Sequence, residues 1–285
     1  MLVSERVGQF FFDSGAGTER LEYTEYGAGN RLVVLLHGQL MPRSMHERLA
    51  RSIAAEGFRV VNLDLLGHGR SDRPEDPKEY SMTAFGHQVV GLLDHLGVEQ
   101  AVIGGTSLGA NVALEVADAA PERVRGLIAE MPVLDNAVEF DLIAFGPLMF
   151  AARFLPFTVD AVRVASRAIP RRLVPFWTRV FLDTLDQSPG ALSATIHGIF
   201  FGRIAPPSRR RRLITVPALV VGHPHDPVHP AADAAMLADE LPNARFVAAH
   251  SIVEWRLHPE RLNNETIAFV TRCWSRVSTK RAARR

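Results

Sequence analysis

The segment Ala101-Val-Ile-Gly-Gly-Thr-Ser-Leu-Gly-Ala110 is the most informative about the fold. The apolar run Ala101–Gly104 predicts a buried strand, and Leu108–Ala119 predicts the helix that follows it. Between them lies Gly105-Thr106-Ser107-Leu108-Gly109, a G-x-S-x-G pattern on a strand-to-helix turn. Such a turn strains the serine backbone and needs small neighbours, because larger side chains would collide across it. A glycine-rich turn with a solvated serine is the alternative, but the flanking strand and helix favour a nucleophile.

Short apolar runs alternate with helical patterns on both sides of this segment, which indicates a mostly parallel sheet flanked by helices. An antiparallel pair of strands precedes it. The predicted strands are Phe10–Phe12, Arg20–Tyr26, Leu32–Leu36, Phe58–Leu63, Ala101–Gly104, Val124–Ala129, Ala218–Val221 and Arg245–Ala248. The predicted helices are Met45–Glu56, Ser81–Leu96, Leu108–Ala119, Ala231–Glu240 and Pro259–Trp274.

The alternation stops between about Val138 and Arg212, where the chain is helical in pattern and strongly apolar. Prolines interrupt this segment as they would between short helices. An insertion between two parts of one sheet explains the change. We therefore predict a core domain of residues 1–137 and 213–285, with residues 138–212 forming a helical cap, or lid.

The composition excludes several classes of protein. The 285 residues are 47% hydrophobic and 22% charged, with a net charge of +1, so a soluble globular chain without a nucleic-acid partner is expected. The single Cys273 excludes an internal disulfide and fits a reducing compartment. We find no secretory signal and no apolar run long enough for a membrane span, so we predict a cytoplasmic location. Two basic clusters, Arg209–Arg212 and the tail from Lys280 to Arg285, are predicted to be solvated.

Three further stretches, together with the Ser107 turn, resemble the α/β-hydrolase fold family across nearly the whole chain. His37-Gly38-Gln39 is similar to the family's oxyanion loop after the first long strand. Asp64–Asp72 resembles the D-x-x-G-x-G-x-S loop after the next strand. Asp226 follows the strand Ala218–Val221, where the family places its triad acid. The order serine, acid, histidine is also the family's order.

This resemblance implies a serine hydrolase with a Ser-Asp-His triad. Ser107 Oγ would attack a carbonyl, and the backbone N–H groups of Gln39 and Leu108 would bind the oxyanion. His37 is expected to brace the loop. Whether the Gln39 amide reaches into the pocket or faces solvent is open. Asp226 is the expected acid, and Glu130, at the end of a strand, is the alternative acid or one half of a buried ion pair.

The resemblance implies His250 as the base, because it directly follows the last predicted strand. The family usually has glycine just before this histidine, where this chain has Ala249, and its link to the next proline is shorter. His258 and His229 therefore stay open as alternatives. The loop His223–His229 has no zinc-ligand spacing, so its histidines are expected at the surface, with no metal bound.

The expected activity is hydrolysis of a carboxylic ester of a lipophilic small molecule, without a cofactor. Carbon–carbon bond hydrolysis or cofactor-free perhydrolysis on the same triad is an alternative, and a non-catalytic ligand receptor is another. Labelling of Ser107 by a fluorophosphonate would separate an enzyme from a receptor. Family members that open epoxides have aspartate at the nucleophile position. Because this chain has Ser107 there, epoxide opening is not expected. The oligomeric state is not predicted. The candidate substrate-binding residues of the cap are Phe145, Leu148, Met149, Phe181 and Phe200.

Overall fold

A computed structural model describes residues 3–15, 17–134 and 138–275. In these residues eight strands form one sheet. The strands are β1 (Glu5–Asp13), β2 (Thr18–Tyr26), β3 (Leu32–Leu36), β4 (Arg59–Leu63), β5 (Ala101–Thr106), β6 (Val124–Glu130), β7 (Ala218–Gly222) and β8 (Ala244–Ala248). Their order across the sheet is β1-β2-β4-β3-β5-β6-β7-β8.

The sheet is mostly parallel. β1, β2 and β4 pair antiparallel at one edge, and every other neighbouring pair is parallel. β3 lies inside the sheet, and all five of its residues are buried. Leu32, Val34 and Leu36 face one apolar core and Val33 and Leu35 the other, as strand alternation requires. A sheet with a core on both faces confirms the predicted α/β fold class.

Helices cover both faces. The helices outside the β6–β7 connection are α1 (Glu47–Ala55), α2 (Met82–His95), α3 (Leu108–Ala119), α9 (Ala231–Glu240), α10 (Glu254–Leu257) and α11 (Glu260–Ser275). Buried side chains of α2, α3 and α9 belong to one core, and those of α1 and α11 to the other. The bounds predicted for α3 and α9 are confirmed, whereas the short helix α10 was not predicted.

The α-helices described between β6 and β7 are α4 (Val138–Phe154), α5 (Pro156–Arg167), α6 (Phe176–Thr184), α7 (Pro189–Phe200) and α8 (Ser208–Arg211). Buried Ala152, Leu192 and Ile196 of this segment form a third apolar cluster with Leu40. The helical content agrees with the sequence pattern. The division into core and cap domains stays a prediction, and its boundary beside residue 137 lies outside the described residues.

One of the two basic clusters does not fit its prediction. Arg211 was expected to be solvated, but it is only 2% exposed and forms an ion pair with Glu240. Its Nη1 also donates to the carbonyl of Pro206 at 3.0 Å, so the end of the helical segment is attached to α9. The tail from Lys280 to Arg285 lies outside the described residues. None of the described helices is long and apolar enough to cross a membrane.

Asn111, one turn into α3, joins both ends of the helical segment to the helix that follows Ser107. Its Nδ2 donates to the carbonyls of Val133 and Ile204, each at 2.7 Å. Its Oδ1 accepts from the N–H of Val133 at 3.1 Å. Val133 follows β6 and Ile204 lies between α7 and α8, so one buried amide fixes the start of the β6–β7 connection relative to the chain after α7.

We expect Asn111→Ala to destabilise the protein by about 2–3 kcal/mol, because three backbone groups lose their partner in a buried site. Urea unfolding gives the change in free energy. Asn243→Ala is the matched control, because Asn243 is exposed and donates one hydrogen bond to Thr215. Equal effects of the two substitutions would contradict the role of Asn111.

Candidate active site

Ser107 lies at a sharp turn between β5 and α3. Its φ of 54° and ψ of −115° are strained for a residue with a side chain. A Cβ at Gly105 would lie 2.4 Å from the carbonyl oxygen of Leu36, and one at Gly109 would lie 2.2 Å from the same atom. Both glycines are therefore required by the close approach of β3, and the predicted strand-to-helix turn is confirmed.

The Ser107 hydroxyl meets a histidine. Ser107 Oγ lies 2.9 Å from Nε2 of His229, and Nδ1 of the same ring lies 3.2 Å from Oδ2 of Asp226. With the ring proton on Nδ1, the imidazole donates to the carboxylate and accepts from the hydroxyl. The three groups form the hydrogen-bonded row that activates a serine.

The Asp226 carboxylate forms hydrogen bonds within its own loop. Asp226 Oδ1 accepts from the backbone N–H of Val228 at 2.8 Å and of His229 at 2.9 Å. Burial raises the pKa of the Asp226 carboxyl, but the hydrogen bonds from the His229 ring and from the two backbone N–H groups outweigh it and lower the pKa below its usual value. The carboxylate is therefore ionised at neutral pH and holds both the backbone and the ring of His229.

His250 does not reach Ser107, so the prediction that these two residues meet is wrong. The His250 side chain is 75% exposed, and its Nδ1 lies 3.8 Å from Glu254. The physical reason is the fold of the chain after β8, where α10 forms and Arg261 binds Glu254 at 2.7 and 2.8 Å. His258, the other histidine of this region, is exposed at the end of α10.

The spacing of the β7 loop is the signal that identifies His229. Asp226-Pro227-Val228-His229-Pro230 places an acid and an imidazole three residues apart in a loop restricted by two prolines. The resemblance to the family implied a base after β8, where this chain has the exposed His250. His223, predicted at the surface, is buried instead, whereas His225 of the same loop is exposed.

The carboxylate of Glu130, at the end of β6, lies behind the Ser107 turn and is 2% exposed. Thr106 Oγ1 donates to it, and Nη2 of Arg256 lies 2.9 Å from Oε2. His223 Nε2 lies 3.1 Å from Oε1. Glu130 is thus the centre of a buried ion pair, the second of the two roles that its position suggested.

The charge of Glu130 is stabilised within the core. Burial raises its pKa, but Arg256 and His223 outweigh burial and bring the pKa far below its ordinary value. The partners connect it further: His223 Nδ1 lies 3.1 Å from the carbonyl of Ser251, and Trp177 of α6 donates to the carbonyl of Arg256 at 2.8 Å. One carboxylate therefore joins the ends of β5, β7 and β8 to the helical segment.

The loop after β3 passes close to Ser107. A Cβ at Gly38 would lie 3.8 Å from Ser107 Cβ. Buried His37 braces the loop as predicted, with Nδ1 2.9 Å from the Gly38 carbonyl and Nε2 accepting from Leu65 N–H at 3.0 Å. Burial lowers the pKa of His37, and it lowers that of neighbouring His46 to about 4. Both rings are neutral at pH 7, which leaves Ser107 without a nearby histidine cation from this loop.

A cavity of about 50 Å³ opens beside Ser107. Phe145 and Phe200 line it, in agreement with their prediction as pocket residues. Leu148 and Met149 pack against the third apolar cluster instead, and Phe181 is 60% exposed and does not line the cavity. The other lining residues are Gln39, Met82, Leu108, Asn111, Val133, Ile199 and Ile204. Most of them are apolar residues spread along the chain, and no local pattern marks them. Among the described residues, no three or more His, Cys, Asp or Glu side chains come together as metal ligands would.

Comparison with known proteins identifies the family. The model of the α/β-hydrolase fold matches residues 31–251, so the chain belongs to that family. BpoC of Mycobacterium tuberculosis (strain ATCC 25618 / H37Rv), named as a candidate non-heme bromoperoxidase, is 28% identical over 87% of this chain and 97% of its own. The enol-lactonase of Burkholderia xenovorans LB400 has a similar structure, with a TM-score of 0.73, 20% identity and coverage of 92% of this chain and 100% of its own. The predictions of the family and of an α/β-hydrolase-type enzyme are confirmed.

Another relative is matched only in part. An uncharacterised protein of Mycobacterium tuberculosis (strain ATCC 25618 / H37Rv) is 32% identical over 150 residues, which are 50% of this chain and 42% of that protein. The chain thus matches less than half the length of this relative, so the match carries no conclusion about an activity.

We expect Glu130→Gln to destabilise the protein by about 2–3 kcal/mol, because it removes a buried negative charge and leaves the partly buried Arg256 guanidinium without its counter-charge. Urea unfolding measures this change. Glu265→Gln is the matched control, since Glu265 pairs with Arg245 at 2.7 Å in a partly exposed site and should cost less than about 1 kcal/mol. Adding Arg256→Met to Glu130→Gln should restore part of the loss. A loss at Glu130 no larger than the control would contradict the central role of this carboxylate.

Proposed function

We propose that the protein is a serine hydrolase that cleaves a carboxylic ester through an acyl-enzyme. The row of Ser107, His229 and Asp226 carries this proposal, because it places a nucleophile, a base and an ionised orienting acid in contact. Gln39 and Leu108 line the same cavity, and their backbone N–H groups are the proposed oxyanion donors. A cytoplasmic location is part of the proposal.

In the first half of the reaction, His229 takes the Ser107 proton as Oγ attacks the ester carbonyl. The tetrahedral oxyanion receives hydrogen bonds from the two N–H groups, and His229 then protonates the leaving alcohol. In the second half, His229 takes a proton from water as the water oxygen attacks the acyl carbonyl. The bond from the carbonyl carbon to Ser107 Oγ then breaks, and His229 returns the proton to Oγ, which releases the carboxylic acid and restores Ser107. Asp226 stabilises the imidazolium in both halves.

The cavity supports an apolar acyl group. Phe145 of α4 and Phe200 of α7 contribute to its wall, so we propose that the helical segment acts as the cap of the site. A volume of about 50 Å³ holds only a few methylene groups in the absence of motion. Lipophilic esters with a short or medium acyl chain are the proposed substrates.

Perhydrolysis is a second candidate, favoured by the similarity to BpoC along 97% of that protein. It would use the same acyl-enzyme, with hydrogen peroxide in place of water as the second nucleophile and a peracid as product. Formation of peracid from an ester and hydrogen peroxide would identify this reaction. Its absence in a preparation that hydrolyses the same ester would leave hydrolysis alone.

Activity on p-nitrophenyl esters of increasing acyl length tests the proposal. Each buried methylene contributes about 0.8 kcal/mol, so kcat/KM for butanoate should exceed that for acetate by about 15-fold. The rate should fall again for dodecanoate, which exceeds the cavity. Ser107→Ala should abolish turnover while the protein stays folded, because the fold depends on the turn and not on the hydroxyl.

Two outcomes would contradict the proposal in different ways. Full activity of Ser107→Ala would remove the nucleophile and with it the mechanism. Faster hydrolysis of acetate than of butanoate would remove the apolar acyl pocket and leave the hydrolase intact.

A further inference from the structure

We infer that the side-chain amide of Gln39 binds a hydroxyl group on the acyl chain of the substrate, beside the scissile carbonyl. The substrates would then be esters of 2-hydroxy or 3-hydroxy acids with an apolar chain. This inference rests on the proposed function, since it concerns the acyl group that Ser107 would accept.

The side-chain amide of Gln39 is buried and lacks a hydrogen-bond partner among the described residues. Both polar atoms of the Gln39 side chain, Oε1 and Nε2, are shielded from solvent and have no hydrogen-bond partner among the described residues. An unpaired buried polar group destabilises a protein, so its presence at a functional site calls for a ligand that completes it. Gln39 borders the same cavity as Ser107, which is where that ligand would be.

Few other side chains in the cavity could compete with Gln39 for a hydrogen bond to a substrate hydroxyl. Asn111 also lines the cavity, but both of its N–H donors are used by the carbonyls of Val133 and Ile204. The other lining residues, apart from Ser107, are apolar. A hydroxyl carried into this cavity therefore finds Gln39 as its hydrogen-bond partner, and finds only apolar contacts elsewhere.

Because the side chain of Gln39 is attached to its own backbone, the position of the backbone N–H limits where the substrate hydroxyl can lie. The Gln39 backbone N–H is a proposed oxyanion donor, so the side chain that starts at the same residue lies next to the reacting carbonyl. An amide both donates and accepts, and a hydroxyl does the same, so either amide atom can pair with it. A side chain of this length serves C2 or C3 of the acyl group and not a distant chain end.

Matched methyl esters test the inference without changing the alcohol. Methyl 2-hydroxybutanoate and methyl 3-hydroxybutanoate are compared with methyl 2-methylbutanoate and methyl 3-methylbutanoate, in which a methyl replaces the hydroxyl. Values of kcat/KM are divided by the hydroxide-catalysed rate of each ester, which removes intrinsic reactivity. For at least one of the two pairs, the native protein should prefer the hydroxy ester by tenfold or more.

Gln39→Met keeps the length of the side chain and the backbone N–H but removes the amide. It should reduce that preference to less than twofold or reverse it. In the unliganded protein it should also raise Tm by a few degrees, because an unpaired amide is replaced by an apolar group. A preference that survives Gln39→Met, equal rates for both partners of each pair in the native protein, or a fall in Tm would each overturn the inference.

The failure of the proposed function is recognised separately. Native protein that hydrolyses none of these esters and is not labelled at Ser107 by a fluorophosphonate would overturn the proposed function. In that case calorimetry with Ser107→Ala still tests the inference, because methyl 2-hydroxybutanoate or methyl 3-hydroxybutanoate should bind at least tenfold more tightly than its methyl analogue. This difference in affinity should disappear when Gln39→Met is added to Ser107→Ala. Equal affinities for both esters in Ser107→Ala, or a difference that persists in the double variant, would overturn the inference.

Discussion

The buried carboxylate of Glu130 is the constraint on which the site depends. It accepts from Thr106, one residue before Ser107, and lies 3.1 Å from His223, at the start of the loop that carries Asp226 and His229. Its pairing with Arg256 adds the chain after β8. A charge in this position is costly unless all of its partners are present, so the ends of three strands are held in one arrangement.

This arrangement explains how the loop after β7 brings both Asp226 and His229 to Ser107. Asp226 binds the backbone and the ring of His229, three residues later, so its carboxylate fixes the position of the imidazole. Arg256 and Glu254 give the chain after β8 a structural role instead, through Glu130 and Arg261. The contact of Trp177 with the Arg256 carbonyl extends that role to the helical segment.

Strands and helices with a regular hydrophobic period were predictable from the sequence. The alternation of apolar strands and amphipathic helices is local, and so β3, α3 and α9 have the predicted bounds, and the strained turn at Ser107 follows from its two glycines. Contacts between distant segments were not predictable in the same way. His250 has the family's position in the chain, but the position of a side chain depends on the loop, and here Glu254 and Arg261 direct the chain into α10.

The burial of ionisable side chains was also not predictable from the sequence. Arginine usually lies at the surface and histidine is intermediate, so residue type alone does not predict the burial of Arg211 and His223. Their burial depends on Glu240 and Glu130, which are distant in the chain, and only the three-dimensional structure brings these partners together.

We propose that His229, and not His250, activates Ser107. The rate of Ser107 labelling by a fluorophosphonate measures this activation directly, because the probe reacts with an activated serine and needs no knowledge of the substrate. We expect His229→Ala to lower the labelling rate by at least about 100-fold, whereas His250→Ala, which alters an exposed side chain, should label at the native rate. Native labelling of His229→Ala together with loss of labelling in His250→Ala would contradict this proposal.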